Sequence, residues 1–281
     1  MTRLTTEMLL KTDAETREYA DRVKLSTGMD PLSLAFTAAV NLKCTAAYNA
    51  SLGGAGILGS KAQVTCCVVP VTAGQGEIGG FTESIESLLR YAGVEVVPAG
   101  AADVDGLYRA WEYGADIAFL ADDNRYIALN FATGMCCEND AATAYGYVTA
   151  LEEMAGGPAS LRNRSVLLTG CGRVGRIAAQ ALRQAGAALA LYDKDMLAAR
   201  RLKTDADRVI TGPQDIAGFS YLLDATNEGG WLTSDMVREG ALISTPGVPL
   251  SLAFDIAERP DIKLFHDTLH TGTLVMLQTV L

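Results

Sequence analysis

Residues 165–176 read SVLLTGCGRVGR. A short apolar, β-prone run (Ser165–Thr169) meets Gly170, Gly172 and Gly175, and a helical pattern follows in VGRIAAQALRQAG, Val174–Gly186. A lone G-x-G-x-x-G is weak evidence. The full signature needs a strand before it, a helix after it and an acid about 20 residues on, at the end of the next strand. Here the next strand, ALALYD, ends in Asp193, and Asp193 follows Gly175 by 18 residues. The spacing predicts a dinucleotide-binding βαβ unit. Gly170, Gly172, Arg173, Val174 and Gly175 would bring backbone amides to a pyrophosphate at the helix N-terminus. Asp193 would take the adenosine ribose hydroxyls and repel a 2′-phosphate, which predicts NAD rather than NADP, with Lys194 beside it as the one opposing charge.

The same glycine spacing occurs earlier, in VPVTAGQGEIGGF, Val69–Phe81, as Gly74, Gly76 and Gly79. It lacks the acid: the next strand, VEVVP, ends in Pro98. Glu77 also places a negative charge inside the turn. This stretch reads as a tight strand-to-helix turn, or as a substrate loop whose amides face a carboxylate.

Outward from these motifs the chain alternates strands and helices. Strands are expected at VTCCVVPV, VEVVP, DIAFLADDN, SVLLT, ALALYD, YLLDAT, ALIST and IKLF, with helices at FTESIESLLRYAG, DGLYRAWEYG and Ala141–Met154. Such alternation implies parallel sheets. Before Val64 the sequence predicts two helices. The first opens at a Thr12–Glu15 capping box and ends near Gly28, and the second covers Leu32–Leu42. Ala50–Ser60 reads as a glycine-rich loop, and Thr273–Leu281 as a terminal helix packed on the body. Gly156-Gly157-Pro158 marks a domain boundary. The expected fold is α/β: an N-terminal helical and α/β substrate domain (1–157), then a C-terminal Rossmann NAD-binding domain with a C-terminal helix (158–281), and a cleft between them.

Composition narrows the class. The 281 residues are 49% hydrophobic and 20% charged, which excludes pure disorder. A net charge of −10 disfavours nucleic acid and anionic lipid. The start has no apolar core of signal-peptide length, and no run of about 18 apolar residues occurs, so a cytoplasmic protein without membrane contact is expected. The six cysteines form no C-x-x-C and read as buried thiols. His266 and His270 are four apart but lack further ligands, so no metal is expected. A homodimer through the apolar helices is compatible with the sequence.

Ligands of parallel sheets bind beyond the carboxyl ends of strands. In the second half those ends are Asp224–Asn227 and Ser244–Gly247, which places Thr226, Ser244, Thr245 and Pro246 near the nicotinamide and its ribose. In the first half the informative segment is FLADDN, Phe119–Asn124. Asp122 suits a protonated amine, while Asp123 or Asn124 would cap a helix over RYIALNF. Asp267, in the loop after the last strand, is a further substrate candidate.

VPVTAGQGEIGGFTESI, ADDN, Asn139, GCGRVG, STPGVP and a terminal Gly272-Thr273 with Met276-Leu277 together resemble the pyrrolysine synthase family, PylD, over Leu4–Leu281. The chain departs from that pattern in a longer Thr45–Ala62 loop and in Asp267, where the family carries Glu. The resemblance implies an NAD-dependent dehydrogenase acting on the CH–NH2 group of L-lysine-Nε-3-methyl-D-ornithine. Hydride loss from the terminal amine carbon, ammonia loss and pyrroline ring closure would give pyrrolysine. It also implies substrate contacts at Ala73, Ala121, Asp122, Asn139 and Asp267. The residues themselves leave two alternatives open: another NAD-dependent amine or amino-acid dehydrogenase, and a non-catalytic NAD sensor, since no general base is evident.

Overall fold

The computed structural model describes residues 13–44, 63–74, 76, 79–257 and 259–281. The Thr12 end of the capping box, the Ala50–Ser60 loop and Glu77 lie outside them. The helices are α1 (Asp13–Thr27), α2 (Pro31–Lys43), α3 (Phe81–Tyr91), α4 (Asp103–Glu112), α5 (Asn139–Met154), α6 (Arg173–Gln184), α7 (Met196–Leu202), α8 (Phe254–Ala257) and α9 (His270–Val280). The strands are β1 (Thr65–Val69), β2 (Glu95–Pro98), β3 (Ile117–Ala121), β4 (Tyr126–Asn130), β5 (Cys136–Glu138), β6 (Ser165–Thr169), β7 (Ala188–Tyr192), β8 (Arg208–Val209), β9 (Tyr221–Asp224), β10 (Leu242–Thr245) and β11 (Lys263–His266).

The chain forms two compact units whose division differs from a cut at Gly156–Pro158. One unit draws on Met1–Asp21, Pro31–Ala142 and Leu269–Leu281, the other on Arg22–Asp30 and Thr143–Thr268. The C-terminal helix therefore belongs with the N-terminal half.

The first unit holds a five-stranded sheet in the order β2-β1-β3-β4-β5. The expected parallel pairing holds for β1 with β2 and β3 only. The pairs β3–β4 and β4–β5 are antiparallel. The expected helix over RYIALNF is thus strand β4. Its alternating burial (Tyr126, Ala128 and Asn130 inward) follows the two-residue period of a strand. Helix α4 covers one face, over Cys67, Val69 and Ala118, and α9 packs against α2, α3, β4 and β5.

Polar side chains fasten α9. Tyr126 Oη lies 3.0 Å from Thr273 Oγ1, Tyr19 Oη 3.1 Å from Thr271 Oγ1, and Lys43 Nζ donates to Gln278 O at 3.1 Å. Buried Asn130 is the most heavily used. Its Nδ2 donates to Val280 O at 3.0 Å, and its Oδ1 accepts from the amides of Ala132 and Thr133 in the β4–β5 turn.

The second unit holds six parallel strands in the order β11-β10-β9-β6-β7-β8. Numbered within the sheet, this is the 3-2-1-4-5-6 order of doubly wound dinucleotide-binding folds, with the switch of direction between β6 and β9. Helix α6 buries Ala178, Ala179, Ala181 and Leu182 at helical spacing against β6 and β7. The opposite face is closed by Ile210, Ile216, Phe219, Leu232, Val237 and Ile256. Among the described residues no helix is long and apolar enough to cross a membrane.

Four cysteines are buried, but Cys44 and Cys136 are exposed, against the expectation of six buried thiols. Burial pushes Cys66 up to about 12 and Cys67 up to about 11, so both remain thiols.

Truncating Asn130 removes the donor to the buried Val280 carbonyl and the acceptor of two part-buried amides in the β4–β5 turn. Asn130→Ala is expected to cost roughly 2–4 kcal/mol in urea denaturation. A loss below about 0.5 kcal/mol would contradict this account of the α9 anchor.

Candidate functional site

In the second unit the turn after β6 has the shape an anion needs. Gly170 has φ +82°, and a Cβ there would lie 2.6 Å from the Ala225 carbonyl carbon. Gly175 packs α6 onto the turn so closely that its Cβ would sit 1.9 Å from Gly170 O. Gly172, between them, is exposed, and a Cβ there would meet nothing within 4 Å. The first glycine makes the turn, the third seats the helix, and the second leaves the backbone open to an incoming group. Arg173 and Val174 begin α6 beside it, so the amides of its first turn face this opening.

Asp193 follows β7 directly. Its Oδ2 accepts from the Cys171 amide at 2.6 Å and its Oδ1 from the Asp195 amide at 2.8 Å. The carboxylate is thereby tied to the glycine turn, and each oxygen keeps a further lone pair for hydroxyl donors. Lys194, exposed, pairs with Glu228 at 2.8 Å. Burial, and then the Asp193 charge, push the Cys171 thiol up to about 12, so no thiolate stands in the glycine turn.

Thr226 follows β9, and Ser244 and Thr245 end β10, at the same carboxyl edge. Ser244 and Thr245 are fully buried. Ser244 Oγ donates to Tyr147 O at 2.8 Å and Thr245 Oγ1 to Asp224 Oδ2 at 3.1 Å. Their hydroxyls are committed inward, and the half-exposed Pro246 is the residue next to the edge. Asp267 comes just after β11 and is buried. Its backbone is clamped by Tyr147, whose hydroxyl donates to Asp267 O and accepts from Asp267 N at 3.0 Å. His266 Nδ1 lies 2.9 Å from Thr245 O, which makes Nδ1 the protonated nitrogen.

In the first unit, Ala73 follows β1, Ala121 ends β3 and Asn139 follows β5. β3 is parallel to β1 and antiparallel to β4, and β5 reverses again, so these three carboxyl ends share one sheet edge with Asp122. The Arg125–Glu138 pair at 2.9 Å spans that edge. Gly74 belongs to it too: a Cβ there would lie 2.2 Å from Asp123 Oδ2, so the first glycine motif and the ADDN segment are packed together.

The capping expectation changes here. No helix follows Asn124. Asp122 itself closes the β3–β4 turn, its Oδ1 accepting from the amides of Asn124 and Arg125 at 2.7 Å each. Those amides, Arg125 first, hold the exposed Asp122 carboxyl below the usual carboxylate range. The structure therefore presents a fixed, ionised carboxylate at the edge. Thr72 and Asp103 steady the neighbouring loop through a 2.8 Å amide bond and a 2.5 Å hydroxyl bond.

Sequence reasoning named Asp224 only as the start of a strand-end loop, with no role of its own, and passed over Tyr147. Asp224 ends a strand at the switch point, a signal that position alone offered. Nothing local marks Tyr147.

The glycine geometry gives a direct check. Gly175→Ala is expected to lose roughly 2 kcal/mol or more through overpacking against Gly170 O. Gly172→Ala should unfold within about 0.5 kcal/mol of the wild type. Equal stability of the two variants would contradict the assigned roles.

Comparison with known proteins places the chain. The family model for "Pyrrolysine biosynthesis protein PylD, N-terminal domain" matches residues 10–137. The pyrrolysine synthase of Methanosarcina acetivorans is 30% identical over 220 residues, 77% of this chain and 83% of that protein. That of Methanosarcina barkeri is 29% identical over 214 residues, 76% and 80% of the two chains. Among solved structures, shikimate dehydrogenase from Aquifex aeolicus superposes with a TM-score of 0.50 at 13% identity, covering 79% of this chain and 92% of that one. Quinate dehydrogenase from Corynebacterium glutamicum, in complex with NAD, gives a TM-score of 0.50 at 15% identity, covering 78% and 94%. These two share the fold. By its identity to the two synthases over most of their length, the chain belongs to the pyrrolysine synthase family.

Proposed function

We propose that this protein is an NAD-dependent dehydrogenase of pyrrolysine biosynthesis. It oxidises the terminal amine-bearing carbon of L-lysine-Nε-3-methyl-D-ornithine, with ammonia loss and closure of a pyrroline ring to give pyrrolysine. The observation that carries the reading is an intact glycine cradle tied to Asp193 in a chain of this family.

The residues fit the cofactor. Gly172 leaves room for a pyrophosphate, and Gly170, Arg173, Val174 and Gly175 complete the helix N-terminus around it. Asp193 would hold the adenosine ribose. Its charge disfavours a 2′-phosphate, and Glu228 engages Lys194, the cation nearest in sequence that could welcome one. Thr226, Ser244, Thr245 and Pro246 border the nicotinamide half in this reading. NAD⁺, when bound, accepts hydride from the amine-bearing carbon.

Ala73, Ala121, Asp122, Asn139 and Asp267 are assigned to the substrate. Asp122, held ionised by two backbone amides, suits the charged form of a substrate amine. An ammonium has no lone pair with which to form an imine, so the amine must shed its proton before oxidation. A neighbouring carboxylate raises the amine pKa. Asp122 therefore binds and orients the amine and is not its base. After oxidation, the ornithine α-amine attacks the imine carbon. The new C–N bond closes the ring, and the original nitrogen leaves as ammonia once it has gained a proton. Orientation of the chain by these groups supplies much of the acceleration.

Purified protein given NAD⁺ and the lysyl-methylornithine amide should form NADH and pyrrolysine, the latter identified by mass spectrometry. Free lysine and free ornithine should be far poorer substrates. No NADH with the amide, or comparable rates with the free amino acids, would overturn the reading. Asp122→Asn should raise KM for the amide about tenfold with the NAD⁺ dissociation constant unchanged, and Asp193→Ala should do the reverse. Equal loss of both affinities in either variant would mean a structural role.

A further inference from the structure

Asp224 ends β9 at the switch point and is fully buried. Three threonine hydroxyls converge on its carboxylate from three places along the sheet edge. Thr169 Oγ1, at the end of β6, donates to Oδ1 at 2.5 Å. Thr226 Oγ1, just past β9, donates to Oδ1 at 2.9 Å. Thr245 Oγ1, at the end of β10, donates to Oδ2 at 3.1 Å. Two of the three hydroxyls have a further task. Thr226 Oγ1 accepts from Trp231 Nε1 at 2.9 Å, and Thr245 Oγ1 from the Gly247 amide at 3.3 Å. The Gly247 backbone is pressed against the same cluster, since a Cβ there would lie 2.3 Å from Thr226 O and 3.3 Å from Asp224 Oδ2.

A carboxylate so placed is an acceptor only, and that fixes the direction of each hydroxyl proton. Thr245 must point its proton at Asp224 and can then receive the Gly247 amide. Thr226 must point its proton at Asp224 and can then receive Trp231. One buried charge thus sets the conformations of the β9 and β10 loops, which lie on the side of β6 away from Asp193.

We infer that Asp224 is the positioning residue for the nicotinamide half of the dinucleotide. It acts through Thr226 and Thr245 and rests on the dinucleotide reading above. Asp193 and the glycine turn govern the adenosine half, and Asp224 meets that turn through the Thr169 hydroxyl, a bond that an amide oxygen at Oδ1 retains.

The test compares NAD⁺ with ADP, which carries only the adenosine half, by isothermal titration of the full-length protein. Asp224→Asn preserves shape and the two bonds accepted at Oδ1, but sets an amide donor against Thr245 Oγ1 and forces that proton away. NAD⁺ affinity should fall about tenfold while ADP affinity stays within about twofold. Thr245→Val should reproduce the pattern and Thr245→Ser should restore it, which keeps the test alive should Asp224→Asn fail to fold. Unchanged NAD⁺ affinity in a folded Asp224→Asn, or in Thr245→Val where that variant is the one available, overturns the inference. So does a parallel loss of NAD⁺ and ADP affinity, which would assign Asp224 to the fold alone. Failure of the wild type to bind either nucleotide overturns the dinucleotide reading itself.

Discussion

The close approach of Gly170 to the Ala225–Thr226 peptide is the constraint on which the second unit turns. Strands β6 and β9 are neighbours, yet the chain leaves them toward opposite halves of the sheet. Their ends can meet only if the residue leaving β6 has no side chain and a left-handed backbone, and Gly170 has both properties. Once that turn is made, the direction of α6 is set. Gly175 allows the helix to sit on the turn, and the open backbone at Gly172 becomes the natural place for an anion. The geometry follows from excluded volume before any ligand is considered.

Charge is then distributed along the edge in a consistent way. Asp193 and Asp224 are both acceptors, but they work differently. Asp193 is half-buried and bound by backbone amides, with capacity left for a hydroxylated ligand. Asp224 is fully buried and receives three hydroxyls, so its charge is spent on ordering the protein. In the first unit Asp122 resembles the former: exposed, amide-bound and held ionised. Fixing an acceptor with backbone amides lets it be rigid and still available, and this property makes Asp122 and Asp193 better ligand groups than the more buried acids.

Much of this was legible in the sequence where structure is local. SVLLTGCGRVGR, the spacing to Asp193 and the strand ends at Asp224 and Thr245 each depend on a strand–turn–helix segment, and the α/β alternation of the second half carried over strand for strand apart from the two-residue β8. The β4–β5 hairpin was not legible. Tyr-Ile-Ala-Leu-Asn is a short apolar run whose period is ambiguous between helix and strand, and Asp122-Asp123-Asn124 reads equally as an N-cap or a turn. What decided it was pairing with β3, a tertiary effect. The membership of α9 was hidden for the same reason: its anchors, Tyr19, Lys43, Tyr126 and Asn130, are far away in the chain. The Asp224 cluster gathers threonines from positions 169, 226 and 245, and no sequence window contains them all.

The proposed function rests on NAD binding at the edge formed by the glycine turn, Asp193 and Asp224. Isothermal titration of the wild-type protein with NAD⁺ and NADP⁺ in parallel tests it most directly. Saturable one-site binding of NAD⁺ is expected, with NADP⁺ weaker by about tenfold or more because its 2′-phosphate would meet Asp193. Equal or tighter binding of NADP⁺, or no binding of either, would contradict it.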